Sequence, residues 1–253
     1  MAPIDRNSPN RRPLVVDEIR SHRNREQSSL PASSLAVSSN QEPGTLVLIR
    51  HGESKFNRQD RFTGLKNPPL TPTGVQEAVA AGRTLRARGF NCDVAFTSKL
   101  KRAQQSLRFI LTELHATSTP IFEDAALNER DYGVLAGMTR TAASQRWGDA
   151  RIQLWRRSYD VAPPGGESLA MTAERTLPFL ERSIMPLLGA GRHVLVVAHG
   201  NSLRSIVMSL DRRTPEEIVK VSFATGTILI YRLFDLDRIV ERVEIQPIDW
   251  NNI

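Results

Sequence analysis

The sequence predicts an α/β fold: a three-layer sandwich in which a mostly parallel central sheet is flanked by helices. Three observations carry that expectation. Short apolar, largely β-branched runs, clearest at residues 46–49 and 194–197, read as strands buried on both faces. Stretches with helical spacing of apolar residues alternate with them. Two strands end in the same dipeptide, His51-Gly52 and His199-Gly200. In open α/β sheets, sites form outside the carboxyl ends of strands, so both imidazoles are expected at that edge.

Residues 1–44 are rich in Ser, Asn, Pro and Arg, and Leu14-Val15-Val16 is their only apolar cluster. They are expected to form a disordered extension ahead of one folded domain over 45–253. They hold no apolar signal-peptide core, and their five acids argue against a transit peptide. After the first strand, Arg61-Phe62-Thr63-Gly64 and Asn67-Pro68-Pro69-Leu70 form a loop. Thr71-Pro72 supplies an N-cap and a first-turn proline for a helix ended by Gly89, with Val75, Ala78, Val79, Gly82 and Leu85 inward. Residues 93–98 read as a second strand. The helix over 99–115 turns Leu100, Ala103, Leu107, Ile110, Leu111 and Leu114 inward and puts Arg102 in its first turn. A third short strand at 120–123 leads into the polar loop Leu127-Asn128-Glu129-Arg130-Asp131-Tyr132-Gly133.

Helices are expected over 139–147 and 149–158, then a turn at Pro163-Pro164-Gly165-Gly166. Glu167-Ser168 opens a long helix to about Leu188, kinked at Pro178. The second His-Gly strand follows, then a helix over 201–210 and another opened by Thr214-Pro215. Residues 228–233 and 239–245 read as a closing β-hairpin.

The formal net charge is +7, and 40% of the residues are hydrophobic. Six arginines against five acids give residues 1–44 only +1, so most of the excess lies in the folded part. The chain has no dense Lys/Arg run and no aromatic-interleaved basic stripe, which argues against nucleic acid as partner. Many of its arginines sit singly beside Gly, Asn, Glu or Trp, a pattern suited to a small polyanion. No apolar run approaches the roughly 20 residues that span a bilayer. A single cysteine, Cys92, allows no intrachain disulfide and fits a reducing compartment, so a cytoplasmic location is expected. Walker A and Gly-x-Gly-x-x-Gly patterns do not occur, which disfavours nucleotide hydrolysis and dinucleotide binding.

Two imidazoles beside Arg50 and Arg102 point to chemistry on phosphate. An unprotonated histidine can attack phosphorus, and the arginine fork binds phosphate bidentately. Glu129 is the best candidate for shuttling the proton of an attacking or leaving hydroxyl. Glu53 could equally cap the next helix. A divalent metal held by His51, His199 and Glu129 is the alternative. However, metal-ligand spacings such as His-x-x-x-His are lacking, and Arg50 would repel a cation.

The segment Arg50-His51-Gly52-Glu53-Ser54-x-x-Asn57 resembles the signature of the histidine phosphatase superfamily. Further motifs resemble the 2,3-bisphosphoglycerate-dependent phosphoglycerate mutases. They are Arg61-Phe62-Thr63-Gly64, Thr97-Ser98-x-Leu100-Lys101-Arg102-Ala103, Asn128-Glu129-Arg130-x-Tyr132-Gly133, Trp155-Arg156-Arg157 and Ala198-His199-Gly200-Asn201-Ser202-Leu203-Arg204.

The resemblance implies a phosphoglycerate mutase-like fold and interconversion of 2- and 3-phosphoglycerate in glycolysis and gluconeogenesis. It implies bisphosphoglycerate as primer, no metal, and a possible homo-oligomer. His51 would be the phosphorylated nucleophile and Glu129 the acid/base. His199, Arg50 and Arg102 would stabilise the phosphoryl group. Ser54, Asn57, Thr63, Gly64, Arg130, Tyr132, Arg140, Arg156, Arg157, Gly200 and Asn201 would bind substrate. Arg140 stands where such mutases usually have Lys, and Asp131 where His is common. The segment 158–167 lacks about two dozen residues that longer members use as part of a cover, and the C-terminal tail is short. A phosphatase of the same superfamily and a non-catalytic phospho-ligand binder are the competing functions.

Overall fold

The structure, a computed structural model, describes residues 42–246. The expected extension lies outside the described residues except for its last three. Its boundary shifts, because Gly44 opens the first strand and pairs with Leu233.

Six strands form one sheet: β1 (Gly44–Arg50), β2 (Val94–Thr97), β3 (Ile121–Glu123), β4 (His193–Ala198), β5 (Ile228–Leu233) and β6 (Ile239–Ile245). Their order is β3-β2-β4-β1-β5-β6. The first four in that order run parallel, whereas β5 is antiparallel to both its neighbours. Strands β1 and β4 are therefore adjacent, with Arg50 opposite Ala198. Both strands ending in His-Gly thus leave the sheet side by side.

Among the described residues the α-helices are α1 (Lys55–Arg58), α2 (Pro72–Ala87), α3 (Lys101–Glu113), α4 (Arg140–Trp147), α5 (Asp149–Arg157), α6 (Leu169–Phe179), α7 (Met185–Gly189), α8 (Gly200–Leu210) and α9 (Pro215–Ile218). The sheet separates two cores. On one face Leu46, Leu48, Val194 and Val196 pack with Phe179 of α6 and with Leu203, Ile206 and Leu210 of α8. On the other, Val47, Ile49, Leu195 and Val197 meet Ala78, Ala81 and Leu85 of α2 and Leu107, Ile110 and Leu111 of α3. Burying each large apolar side chain contributes about 1.5–3 kcal/mol, which explains why β1 and β4 show continuous rather than alternating hydrophobicity. A third cluster, Phe62, Leu135, Ala143, Ile152 and Trp155, ties α4 and α5 to the loops after β1 and β3.

Two helix faces differ from expectation. In α2, Val75 and Val79 are only half-buried, while Gly74 and Ala81 are buried. In α3 the buried stripe includes Arg102 and Ser106, and Leu114 is half-buried. The stripe turns polar because the first turn of α3 faces the carboxyl edge of the sheet. The long helix after Ser168 also differs. It runs through Pro178, and the irregularity is a π-type turn at Leu180–Ile184, between Pro178 and Pro186. Each proline lacks the N–H that would bond the carbonyl four residues earlier, so the ladder is weakened on both sides of that turn.

The loop carrying His51 is pressed against α2. A Cβ on Gly52 would lie 2.1 Å from the Gly74 carbonyl oxygen, and one on Gly74 would lie 2.1 Å from that of Glu53. Glycine serves here for backbone-to-backbone packing, in addition to any approach by a ligand. Thr71 caps α2 through the Gly74 N–H, and Glu53 accepts from Thr71 Oγ1 at 2.6 Å, so Glu53 clasps the helix start. Gly74→Ala is expected to lower the unfolding free energy by about 1–3 kcal/mol, read from the urea midpoint. An unchanged midpoint would show that the two backbones part at little cost.

Candidate active site

The site forms where β1 and β4 end. The His51 N–H donates to the Ala198 carbonyl at 3.0 Å, which continues the parallel ladder one residue beyond the strands. The His51 side chain is buried. Its Nδ1 lies 2.6 Å from the Gly52 carbonyl oxygen, an atom that only accepts, so Nδ1 carries the proton. Nε2 then holds the lone pair and accepts from Arg102 Nε at 3.2 Å. Both contacts select one tautomer, with Nε2 as the nucleophilic nitrogen. Burial, then the charges of Arg102 and Arg50, hold the imidazole pKa well below the usual 6.5.

His199 is fully buried, its ring centroid 4.9 Å from that of His51. Its Nε2 is 2.7 Å from Ser98 Oγ at the end of β2, and its N–H donates to Ser202 Oγ at the start of α8. Its pKa is also well below 6.5, from burial first and then Arg102 and His51.

Two buried arginines, Arg102 and Arg130, and the half-buried Arg50 surround the histidines. Arg102 donates through Nη1 to the Lys66 carbonyl at 2.9 Å and through Nη2 to that of Gly64 at 3.1 Å. Burial brings its pKa down to about 10 against the opposing pull of Glu129, so it stays charged at neutral pH. Arg50 donates through Nη1 to the Phe223 carbonyl. Arg130 donates through Nη1 to the Trp155 carbonyl at 3.1 Å, with its guanidinium 4.7 Å over the Tyr132 ring.

Among the described residues, five buried side-chain nitrogens have no hydrogen-bond partner, and four lie here: Arg50 Nε, Arg130 Nε and Nη2, and His199 Nδ1. Leaving a buried polar group unpaired costs about 1–3 kcal/mol. Such a concentration of unpaired cationic donors fits a polyanionic ligand.

Glu129 is buried among these charges. Its Oε1 accepts from the Arg130 N–H at 2.9 Å, the Asn201 N–H at 3.2 Å and Asn201 Nδ2 at 2.8 Å. Burial pushes its pKa up, but Arg102, the Asn201 amide and the Arg130 N–H outweigh that and hold it below the usual carboxylate value. It is ionised at neutral pH, and among the described residues Oε2 carries no hydrogen bond.

The remaining sequence-predicted residues divide by position. Gly200 opens α8, and a Cβ there would lie 3.9 Å from both Arg50 Nε and Glu129 Oε2, so glycine keeps that gap clear. Asn201 Nδ2 also donates to Tyr132 Oη at 3.2 Å. Thr63 is buried beside Gly64, and Gly64 takes a positive φ of 51° next to the Tyr132 backbone. Ser54 caps α1, and both its N–H and its hydroxyl donate to Asn57 Oδ1, so the two hold each other.

Arg156 is half-buried, with its pKa lowered by burial and then by Arg140. Arg140 and Arg157 are exposed rim residues. Arg140 pairs with Asp60 at 2.8 Å, and Arg157 donates to the Val219 carbonyl at 3.1 Å. Ser98 and Arg204 belong to the motif stretches but carried no assigned role. Their signals were a position between a strand end and a helix start, and i+3 spacing from Asn201. Among the described residues, no group of three or more His, Cys, Asp or Glu side chains could hold a metal ion.

A family model described as histidine phosphatase superfamily (branch 1) matches residues 46–245. The chain is 48% identical over 200 residues to a 2,3-bisphosphoglycerate-dependent phosphoglycerate mutase from Parvibaculum lavamentivorans, covering 79% of this chain and 95% of the relative. It is 53% identical over 188 residues to a mutase of the same description from Nitrobacter hamburgensis, covering 74% and 91%. Among solved structures it resembles a mycobacterial glucosyl-3-phosphoglycerate phosphatase complexed with VO3, with a TM-score of 0.65 and 26% identity over 74% of this chain and 92% of that one.

The lowered histidine pKa values set an acid limit on stability. Above pH 6.5 both imidazoles are neutral folded and unfolded, and they contribute no pH dependence. Below it the unfolded chain binds protons that the native site refuses, so stability falls with pH. For two groups the slope approaches about 2.7 kcal/mol per pH unit. Urea midpoints between pH 7 and 5 should fall steeply. The slope should flatten in His51→Asn with His199→Asn; an equal slope there would place the titration elsewhere.

Proposed function

This chain belongs to the histidine phosphatase superfamily, and on that premise we propose that it interconverts 2- and 3-phosphoglycerate through a phosphohistidine on His51. Relatives that share about half their residues with it over nearly their whole length are bisphosphoglycerate-dependent phosphoglycerate mutases. The observation that carries the mechanism is the tautomer of His51, with Nδ1–H on the Gly52 carbonyl and Nε2 facing Arg102. Bisphosphoglycerate supplies the phosphoryl group that primes the enzyme, and the unpaired donors of Arg50, Arg130 and His199 are the groups that fit it.

His51 Nε2 attacks phosphorus, and the bond from phosphorus to the leaving oxygen breaks. To free the Nε2 lone pair, Arg102 first turns its Nε–H from Nε2 to a phosphoryl oxygen, where Arg50 adds its charge and His199 Nδ1 a hydrogen bond to stabilise the developing negative charge. The leaving oxygen takes a proton from Glu129. Its carboxylate is ionised in the free enzyme, but the negative charge of a bound phosphate raises its proton affinity. In the return step Glu129 Oε2 accepts the proton of the acceptor hydroxyl, which attacks the phosphoryl group as Nε2 leaves. Nothing in this sequence calls on a metal, and we infer metal-free catalysis in the cytoplasm. Among the described residues no helix is long and apolar enough to cross a membrane.

Phosphatase activity is the second reading, favoured by the short 158–167 segment. Pro164 and Gly165 join Leu65, Lys66, Asp131, Gly133 and Val134 around an open cavity of about 570 Å³ at the loops flanking the site. Less cover leaves water more access to the phosphoenzyme.

The test is a coupled mutase assay in EDTA, with and without bisphosphoglycerate, alongside labelling from phosphorylated primer. Turnover should need the primer and survive the chelator, with acid-labile label absent from His51→Ala. Label persisting in that variant would refute the nucleophile; activity restored only by a divalent ion would refute the metal-free mechanism. Arg156→Ala with Arg157→Ala should lower mutase turnover about 100-fold or more, on the scale of about 1.5–3 kcal/mol per charged hydrogen bond. Phosphoenzyme hydrolysis should fall much less. Equal losses would show that these arginines serve the common phosphoryl pocket or the fold.

A further inference from the structure

We propose that Arg204 is a positioning residue that fixes the Asn201 amide so that its N–H side, and not its carbonyl, faces Glu129. This rests on the mutase reading above. Arg204 lies on α8 one turn after Asn201 and donates through Nη1 to Asn201 Oδ1 at 3.0 Å, while its Nε donates to the Val221 carbonyl at 2.6 Å. A guanidinium can only donate, so the atom of Asn201 facing it must be the oxygen. The amide nitrogen is thereby turned toward Glu129 Oε1 at 2.8 Å and Tyr132 Oη at 3.2 Å. The reverse orientation would set an amide oxygen against a carboxylate and an NH2 group against a guanidinium, two repulsive contacts in a buried site.

The consequence falls on the proton shuttle. Oε1 is fastened by three donors, two of them from Asn201, which leaves Oε2 for proton transfer. The groups facing Glu129 are Arg50 at the end of β1, Arg102 on α3, Arg130 and Tyr132 on its own loop, Arg204 through Asn201 on α8, and Arg175 on α6, which holds the Glu129 carbonyl at 3.2 Å. Of these only Arg204 contacts the Asn201 amide oxygen among the described residues. Losing it frees the amide to turn, weakens the hold on the ionised carboxylate and raises its proton affinity. Phosphoryl transfer out of the phosphoenzyme, which needs Glu129 as a base, then requires a higher pH.

The experiment measures decay of the pre-labelled phosphoenzyme to added 3-phosphoglycerate from pH 5 to 8 in wild type, Arg204→Gln, Arg204→Lys, Asn201→Ala and the double variant Arg204→Gln with Asn201→Ala. The acid limb should move up by about one pH unit in Arg204→Gln, a tenfold rate loss on that limb. It should return most of the way in Arg204→Lys, which keeps a charged donor to Oδ1 that cannot reverse to an acceptor as the glutamine amide can. The double variant should be no slower than Asn201→Ala alone. An unmoved limb, or losses that multiply in the double variant, overturns the proposal. If Arg204→Gln fails to fold, the comparison of Arg204→Lys with wild type decides: a limb moved up by part of a pH unit with unchanged melting temperature supports the relay, and an unmoved limb or a uniform loss at every pH refutes it. Failure of wild type to form any phosphoenzyme would instead refute the mutase reading.

Discussion

The site depends on the parallel pairing of β1 with β4. Register places Arg50 opposite Ala198, so His51 and His199 leave the sheet at the same level and their rings come to 4.9 Å. Because each strand changes face with every residue, a slip of one position would send one histidine to the other side of the sheet. The two cores enforce the register. Leu46, Leu48, Val194 and Val196 fill one, and Val47, Ile49, Leu195 and Val197 fill the other, so the slip would also misplace every strand side chain. Hydrophobic packing within the sheet thus sets the geometry of the site at its edge.

Around that edge the dominant problem is buried charge. Arg50, Arg102 and Glu129 sit in places where desolvation opposes ionisation, and Arg130 is buried beside them. Backbone carbonyls solve part of it: Gly64 and Lys66 for Arg102, Trp155 for Arg130, Phe223 for Arg50. Glu129 solves part of the rest by lying between the positive charges. What stays unpaired is directional, since the orphaned atoms are donors on Arg50 and Arg130 and a ring nitrogen of His199. Burial first, and then the same surplus of positive charge, keeps both imidazoles neutral, and a neutral His51 is what nucleophilic attack needs.

The loop bearing Glu129 is held from behind. Arg175 on α6 donates to the carbonyls of Ala125, Ala126 and Glu129 and pairs with Glu167, while Glu167 accepts the Asp131 N–H. The short segment before Glu167 folds directly onto this loop: Val134 N–H donates to the Pro164 carbonyl, and a Cβ on Gly133 would lie 2.2 Å from that oxygen. The short segment thereby braces the loop that bears Glu129.

The strands, the capped helix starts and the closing hairpin were legible in the sequence because each rests on local chemistry. Buried runs, Thr71-Pro72, Ser168 and Thr214-Pro215 act within a few residues of themselves. The residues proposed as catalytic were legible as a group, because the paired His-Gly dipeptides and the resemblance marked His51, His199, Glu129, Arg50 and Arg102, which the fold brings together. Tertiary structure alone decided the rest. It set Arg140 and Arg157 on the rim, Ser54 onto Asn57, Glu53 onto Thr71, and gave Ser98 to His199 and Arg204 to Asn201. It also chose the protonated nitrogen of His51, which depends on a carbonyl one residue away and a guanidinium 51 residues away. A hydrogen bond needs its partner within about 3 Å and correctly aimed. Sequence supplies the donors and acceptors, but only the folded chain brings distant ones into that range.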